Sequence, residues 1–167
     1  MSKKAKGYIK NLELLLDSLE DIKSVFEGKM TAQSLRVLKE ITEKAIGNIF
    51  YAFGYVNSLE KILYGRDWIS GKLETYGTRE ELKIKINDPD FAKDIYLLTS
   101  PIAHTYRYLD ELSKDCEYYR RRMIRFKELK QDRTSFEIEI EEFQEVNKLR
   151  LEYRIKDLKH LIESLKK

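Results

Sequence analysis

The feature that most constrains this chain is a pair of apolar seams at helical spacing between residues 101 and 166. Leu109, Leu112, Cys116, Tyr119, Met123 and Phe126 recur at alternating intervals of three and four residues. After a short polar break, Gln131-Asp132-Arg133-Thr134, the residues Leu151, Ile155, Leu158, Ile162 and Leu165 do the same. That spacing draws one apolar stripe along a helix. Two such helices joined by a few residues fold back as an antiparallel αα-hairpin. The predicted fold is therefore all-α: an elongated, coiled-coil-like helical bundle built around this hairpin.

The rest of the chain reads as elements packed against it. A length of 167 residues suits one domain with a real core. Residues 1–6 carry three Lys and no apolar anchor, and read as a flexible tail. Helical spacing then runs through Ile9, Leu12, Leu15, Leu16, Leu19, Ile22 and Phe26, with Gly28 as the stop. Thr31 is a good N-cap for a second helix, and Met30 and Leu35 occupy the two positions of a hydrophobic staple. This second helix is predicted over 32–64. Gly47 and Gly54 lie seven apart within it, on one face that another helix can approach closely. The aromatic run Phe50 to Tyr55 reads as core, or less simply as an aromatic-lined groove.

Residues 65–100 form a short irregular insertion, broken by Gly65, Gly71 and Gly77 and anchored by Trp68. Leu82 to Ile86 alternates with period two, which is a strand pattern. Asp88-Pro89 then starts a short helix to about Leu98, and Ser100-Pro101 repeats the arrangement for the long helix that follows. Phe136 to Ile140 also alternates. Reach decides that case: about 14 residues, partly helical, do not carry Ile86 to the far end of a helix of roughly 46 Å. Residues 136–140 are therefore read as helix, with Thr134 and Glu137 as a capping box and Ile138 pointing away from the seam.

On a helical wheel the last helix has two apolar faces. With Leu151 at zero, Ile155, Leu158, Ile162 and Leu165 fall within about 40°, and Ile140 shares their sector. Ile138, Val146, Leu149 and Tyr153 fall on the opposite side, at about 140° to 220°. The simpler expectation is that the second set meets the first two helices. The other is an interface with a second copy of the chain or another protein.

Charge offers a second functional reading. The run Tyr118-Tyr119-Arg120-Arg121-Arg122-Met123-Ile124-Arg125-Phe126-Lys127 sets guanidinium beside aromatic rings, as nucleic-acid binding requires. The candidate contacts are Arg121, Arg122, Arg125, Lys127 and Tyr118, helped by the Lys-rich N-terminus. Against this stand Glu137, Glu139, Glu141, Glu142 and Glu145. In a tight hairpin residue 122 faces about residue 144, so the basic end of one helix lies beside the acidic start of the next and cancels much of its field.

Little else carries chemistry. His160 has Asp157 and Glu163 a turn away on either side, but no Glu-x-x-His or His-x-x-x-His spacing for a metal is present. His104 follows Ser100 by four, with Ser100 read as an N-cap. No catalytic residues, metal or cofactor are assigned. Cys116, the one cysteine, falls in the apolar seam as a small hydrophobe. Arg154 and His160 weakly resemble the Arg-x(4–6)-His pattern of the HEPN helical ribonucleases. The resemblance covers these two residues, has Ile155 where that family has a polar residue, and sets the pair about 120° apart on a helix. No stretch approaches the roughly 20 apolar residues of a transmembrane helix. The expectation is a soluble cytoplasmic protein without a membrane partner. Five Asn and three Gln against abundant Lys, Glu and Ile is a thermophile-like bias. The expected function is a non-enzymatic interaction or assembly protein, self-associating or binding a protein partner, with nucleic-acid association as the alternative.

Overall fold

The computed structural model describes the backbone of residues 3–64, 89–129 and 134–166. Side chains are described for residues 6–49 (save 8), 101–127 (save 103) and 134–166. The strand pattern at 82–86 and Trp68 lie outside the described residues, and the side chains of the aromatic run at 50–55, on Gly54's side of α2, lie outside the described side chains.

Four helices account for the described chain: α1 Lys3–Phe26, α2 Ala32–Tyr64, α3 Pro89–Leu129 and α4 Thr134–Lys166. Each packs on two neighbours, in the cycle α1–α2–α3–α4–α1, and among the described residues the diagonal pairs make no close backbone approach. The result is an all-α up-down-up-down bundle. Among the described residues there is no strand.

Each helix exists because it can bury one stripe. Leu12, Leu15, Leu19, Ile22 and Phe26 of α1 are fully or almost fully buried, as are Leu35, Leu38, Thr42, Ala45 and Ile49 of α2. Ile102, Thr105, Leu109, Leu112 and Cys116 supply the stripe of α3. The core of α4 is Phe136, Ile140, Phe143, Asn147, Leu151, Ile155, Leu158, Leu161 and Ile162. The helical reading of 136–140 thus holds, with Phe136 and Ile140 buried and Ile138 outside.

The turn between α1 and α2 follows from local chemistry. The Ser34 amide donates to Thr31 Oγ1 at 3.0 Å, and the Thr31 amide donates to Ser34 Oγ at 2.7 Å. This reciprocal capping, with Met30 and Leu35 both buried behind it, fixes the start of α2. A residue from the neighbouring helix α4 completes the end of α1: Gln144 Nε2 donates to the carbonyls of Phe26 and Gly28, the latter at 2.7 Å. These are carbonyls that a helix end leaves without partners.

Four expectations need correction. Helix α1 begins at Lys3, so residues 3–6 are its first turn. Helix α3 runs unbroken from Pro89 through Pro101, and Ser100 is helix interior rather than an N-cap. A proline inside a helix costs about 3 kcal/mol. Burial of Ile102, Leu109 and Leu112 on the same helix more than offsets that, at roughly 1.5–3 kcal/mol per side chain. A Cβ added at Gly47 would meet nothing within 4 Å, so no described residue approaches closely there. Finally, the α3–α4 pair that organises the sequence pattern is the least intimate of the four, and α2–α3 the most. Side-chain size explains the order. Tyr108, Tyr119, Phe126, Phe136 and Phe143 stand between α3 and α4, where their rings hold the two backbones apart. In α4 the buried positions 140, 143, 147, 151 and 155 also depart from the alternating heptad pattern, which undoes a regular left-handed supercoil.

Candidate interaction surfaces

Two surfaces were singled out by sequence, and the bundle treats them differently. The first is the outer face of α4. Its inner face and flanks already pack on α1 and α3. Ile138, Val146, Leu149 and Tyr153 remain 53, 52, 69 and 63 % exposed. The simpler expectation, that these residues meet the first two helices, is not what the bundle does. A helix in a four-membered cycle touches its neighbours along adjacent sides of one face, so the opposite side stays outside. The four residues lie within about 80° of one another and span about 22 Å along the axis.

Charged residues border this stripe, and most are tied into the bundle. Glu152 pairs with Lys23 of α1 at 3.9 Å and Lys159 with Glu20 at 3.2 Å, while Lys166 pairs with Glu13 at 2.8 Å. Toward α3, Arg150 pairs with Glu111 at 3.1 Å and Glu139 with Arg122 at 2.9 Å. Exposed pairs like these stabilise little, but together they fix the antiparallel register. Glu142 and Lys156, both exposed and both on the stripe itself, have no ion-pair partner among the described residues.

The second surface is the basic segment of α3. Glu117 neutralises much of it from within the helix. It accepts hydrogen bonds from Arg120 at 3.0 and 3.1 Å and from Arg121 at 2.8 Å, and Lys39 of α2 approaches it at 3.4 Å. The Arg120 and Arg121 hydrogen bonds hold the Glu117 carboxyl down at about 2. Arg122 is engaged on all sides. Its guanidinium lies 4.9 Å from the Phe136 ring centroid, 5.4 Å from Tyr118 and 5.7 Å from Phe126, and it donates to the Tyr118 hydroxyl at 3.2 Å. With Glu139 added, it is a bracket between α3 and α4. Its partner is Glu139 rather than a residue near 144. Among the described residues no carboxylate lies within ion-pair distance of Arg125 or Lys127, and Tyr118 is half exposed.

Beside the α4 face, between α3 and α4, runs a groove of about 380 Å³, lined by His104, Arg107, Tyr108, Arg150 and Arg154 among others. Arg150 lies 4.7 Å from the Tyr108 ring centroid and Arg154 4.6 Å from that of Tyr153. Arg154 Nη1 is buried without a hydrogen bond, with Asp157 Oδ2 3.8 Å away. His160 is exposed on α4, so Arg154 and His160 occupy different surroundings. Among the described residues no three His, Cys, Asp or Glu side chains are arranged to hold a metal, Asp157, His160 and Glu163 included.

Sequence reasoning missed the buried polar pair Tyr108–Asn147. The Tyr108 hydroxyl donates to Asn147 Oδ1 at 2.8 Å, and Asn147 Nδ2 donates to the Phe143 carbonyl at 2.8 Å. The signal was present: Asn147 stands four residues from both Phe143 and Leu151, in the seam itself. Among the described residues no helix is long and apolar enough to cross a membrane. Compared with protein-family models, with curated proteins and with solved structures, the chain matches none.

Proposed function

We propose, with no relative to argue from, that this chain is a non-enzymatic helical interaction protein that assembles through the outer face of α4. The observation that carries the reading is the exposed stripe Ile138, Val146, Leu149 and Tyr153 on a helix whose two neighbours are already in place. Large apolar residues grouped along one line, rather than scattered, mark a surface that another polypeptide covers. The cysteine argues in the same direction. Burial, helped by Asp115, pushes the Cys116 thiol up to about 12, so it is unsuited to nucleophilic work.

Light scattering tests the reading. The wild type should show a mass above the 20.0 kDa of one chain, rising with concentration, and Leu149→Glu with Tyr153→Glu should return it to that value. A wild type that stays at one chain's mass throughout sinks the proposal of self-assembly.

A second reading, nucleic-acid association, draws support from Arg125 and Lys127, which have no carboxylate partner among the described residues and lie near the exposed Tyr118 ring. Such binding should weaken steeply with salt and disappear in Arg121→Glu with Arg125→Glu. Arg122 is left out of that test because it brackets α3 to α4. Binding indifferent to both salt and the double change would remove this segment from consideration.

A further inference from the structure

We infer that the occupant of the α4 face is a second copy of the chain, laid antiparallel with Leu149 on the two-fold axis. The inference rests on the reading of that face as an interface, and adds the partner and its direction.

The argument is one of self-complementarity. Glu142 and Lys156 each stand seven residues from Leu149, about 20° to either side of it on the helical wheel. Both are exposed, and they are the charges on the stripe that the monomer leaves unpaired among its described residues. Around them Glu139, Glu145, Arg150, Glu152 and Asp157 all have partners within the chain.

A two-fold axis through Leu149, perpendicular to α4, lays position 142 against position 156 of the second copy. It brings position 146 to within one residue of the level of 153, and lays 149 against itself. The layers that result are Glu142 on Lys156, Val146 beside Tyr153, Leu149 on Leu149, and then the same pairs in reverse. The apolar centre is closed at both ends by an ion pair, and Ile138 comes level with His160 of the second copy. This is an isologous interface, in which each residue is used twice by symmetry. Parallel pairing in the same seam would set Glu142 on Glu142 and Lys156 on Lys156, with like charges at both ends. The spacing therefore selects one direction.

The seam is short, so the dimer is a weak one, with a dissociation constant of roughly 10–100 µM. Cysteine pairing reads its direction. Cys116 stays in place because it is buried. Leu149→Cys alone should give a disulfide-linked dimer under mild oxidation. Glu142→Cys and Lys156→Cys should each fail to link to themselves, but should link to one another when mixed. Charge exchange reads it independently. Glu142→Lys or Lys156→Glu alone should weaken association about tenfold, since each turns two ion pairs into two like-charge contacts. The double exchange should restore wild-type association to within about twofold, with circular dichroism unchanged throughout. Self-linking of Glu142→Cys, or no recovery in the double exchange, overturns the antiparallel inference while a dimeric mass keeps the interface reading. A mass of one chain at roughly 1 mM, well above the expected constant, overturns both.

Discussion

Removing one hydroxyl tests how α3 is held to α4. Tyr108 and Asn147 are 3 and 4 % exposed, and their hydrogen bond of 2.8 Å crosses the least intimate helix pair of the bundle. Tyr108→Phe keeps the ring, and with it the stacking of Arg150 at 4.7 Å. What it leaves behind is Asn147 Oδ1, buried and without its donor. A net hydrogen bond contributes only about 0.5–1.5 kcal/mol, but stranding a buried polar group costs about 1–3 kcal/mol. The expected loss is therefore about 1–3 kcal/mol. Asn147→Leu strands the tyrosine hydroxyl instead and should cost a similar amount. The double variant strands neither, so its loss should fall short of the sum by about 1 kcal/mol or more. Urea unfolding monitored by circular dichroism measures all four proteins, provided the slope with denaturant stays constant. The pH dependence has a definite sign. Burial pushes the Tyr108 phenol above its ordinary value of 10.0, so its contribution is complete below that pH and is lost as pH rises past it. Tyr108→Phe should lack this alkaline decline. A single-variant cost below roughly 0.5 kcal/mol, or strict additivity, would refute the argument that this pair is a committed buried contact.

Leu158, 1 % exposed between α4 and its neighbours, should cost about 2–5 kcal/mol when truncated to Ala, and a near-neutral result would mean the seam is misdrawn. Gly47→Ala should stabilise by about 0.5–1 kcal/mol in thermal unfolding, because an added methyl meets open space in a helix interior; destabilisation would reveal a close neighbour. Glu117, whose carboxyl is held at about 2, should keep its charge in an NMR titration well below the ordinary 4.5. Its contribution is full above about 4.5 and fades as pH falls through about 2, so Glu117→Gln should flatten the acid limb of the stability curve. Cys116 should resist maleimide in the native protein and react only on unfolding, and rapid native labelling would contradict its burial.

The sequence by itself determined α1, α2 and α4 and most of their described buried faces, but split α3 at Ser100-Pro101. Leu12, Leu19, Leu38, Leu109, Leu112 and Leu158 were legible as core because helical periodicity is a property of a few consecutive residues. The cap at Thr31 was legible for the same reason: its partner Ser34 is three residues away. The second apolar set on α4 could be read from the wheel, but not whether the chain covers it. That depends on how many helices surround α4 and on which side, which no local pattern contains. Tertiary structure also decided that Pro101 would be carried inside α3, since burial along the whole helix outweighs one missing backbone bond. It turned Arg122 from a candidate ligand contact into a bracket on Phe136 and Glu139, and gave Asn147 a tyrosine partner thirty-nine residues away. It set α3 and α4 apart despite their matching seams. Periodicity reports which face of a helix is apolar, whereas the distance between two helices depends on the volume of the side chains that meet there, and here those are aromatic rings.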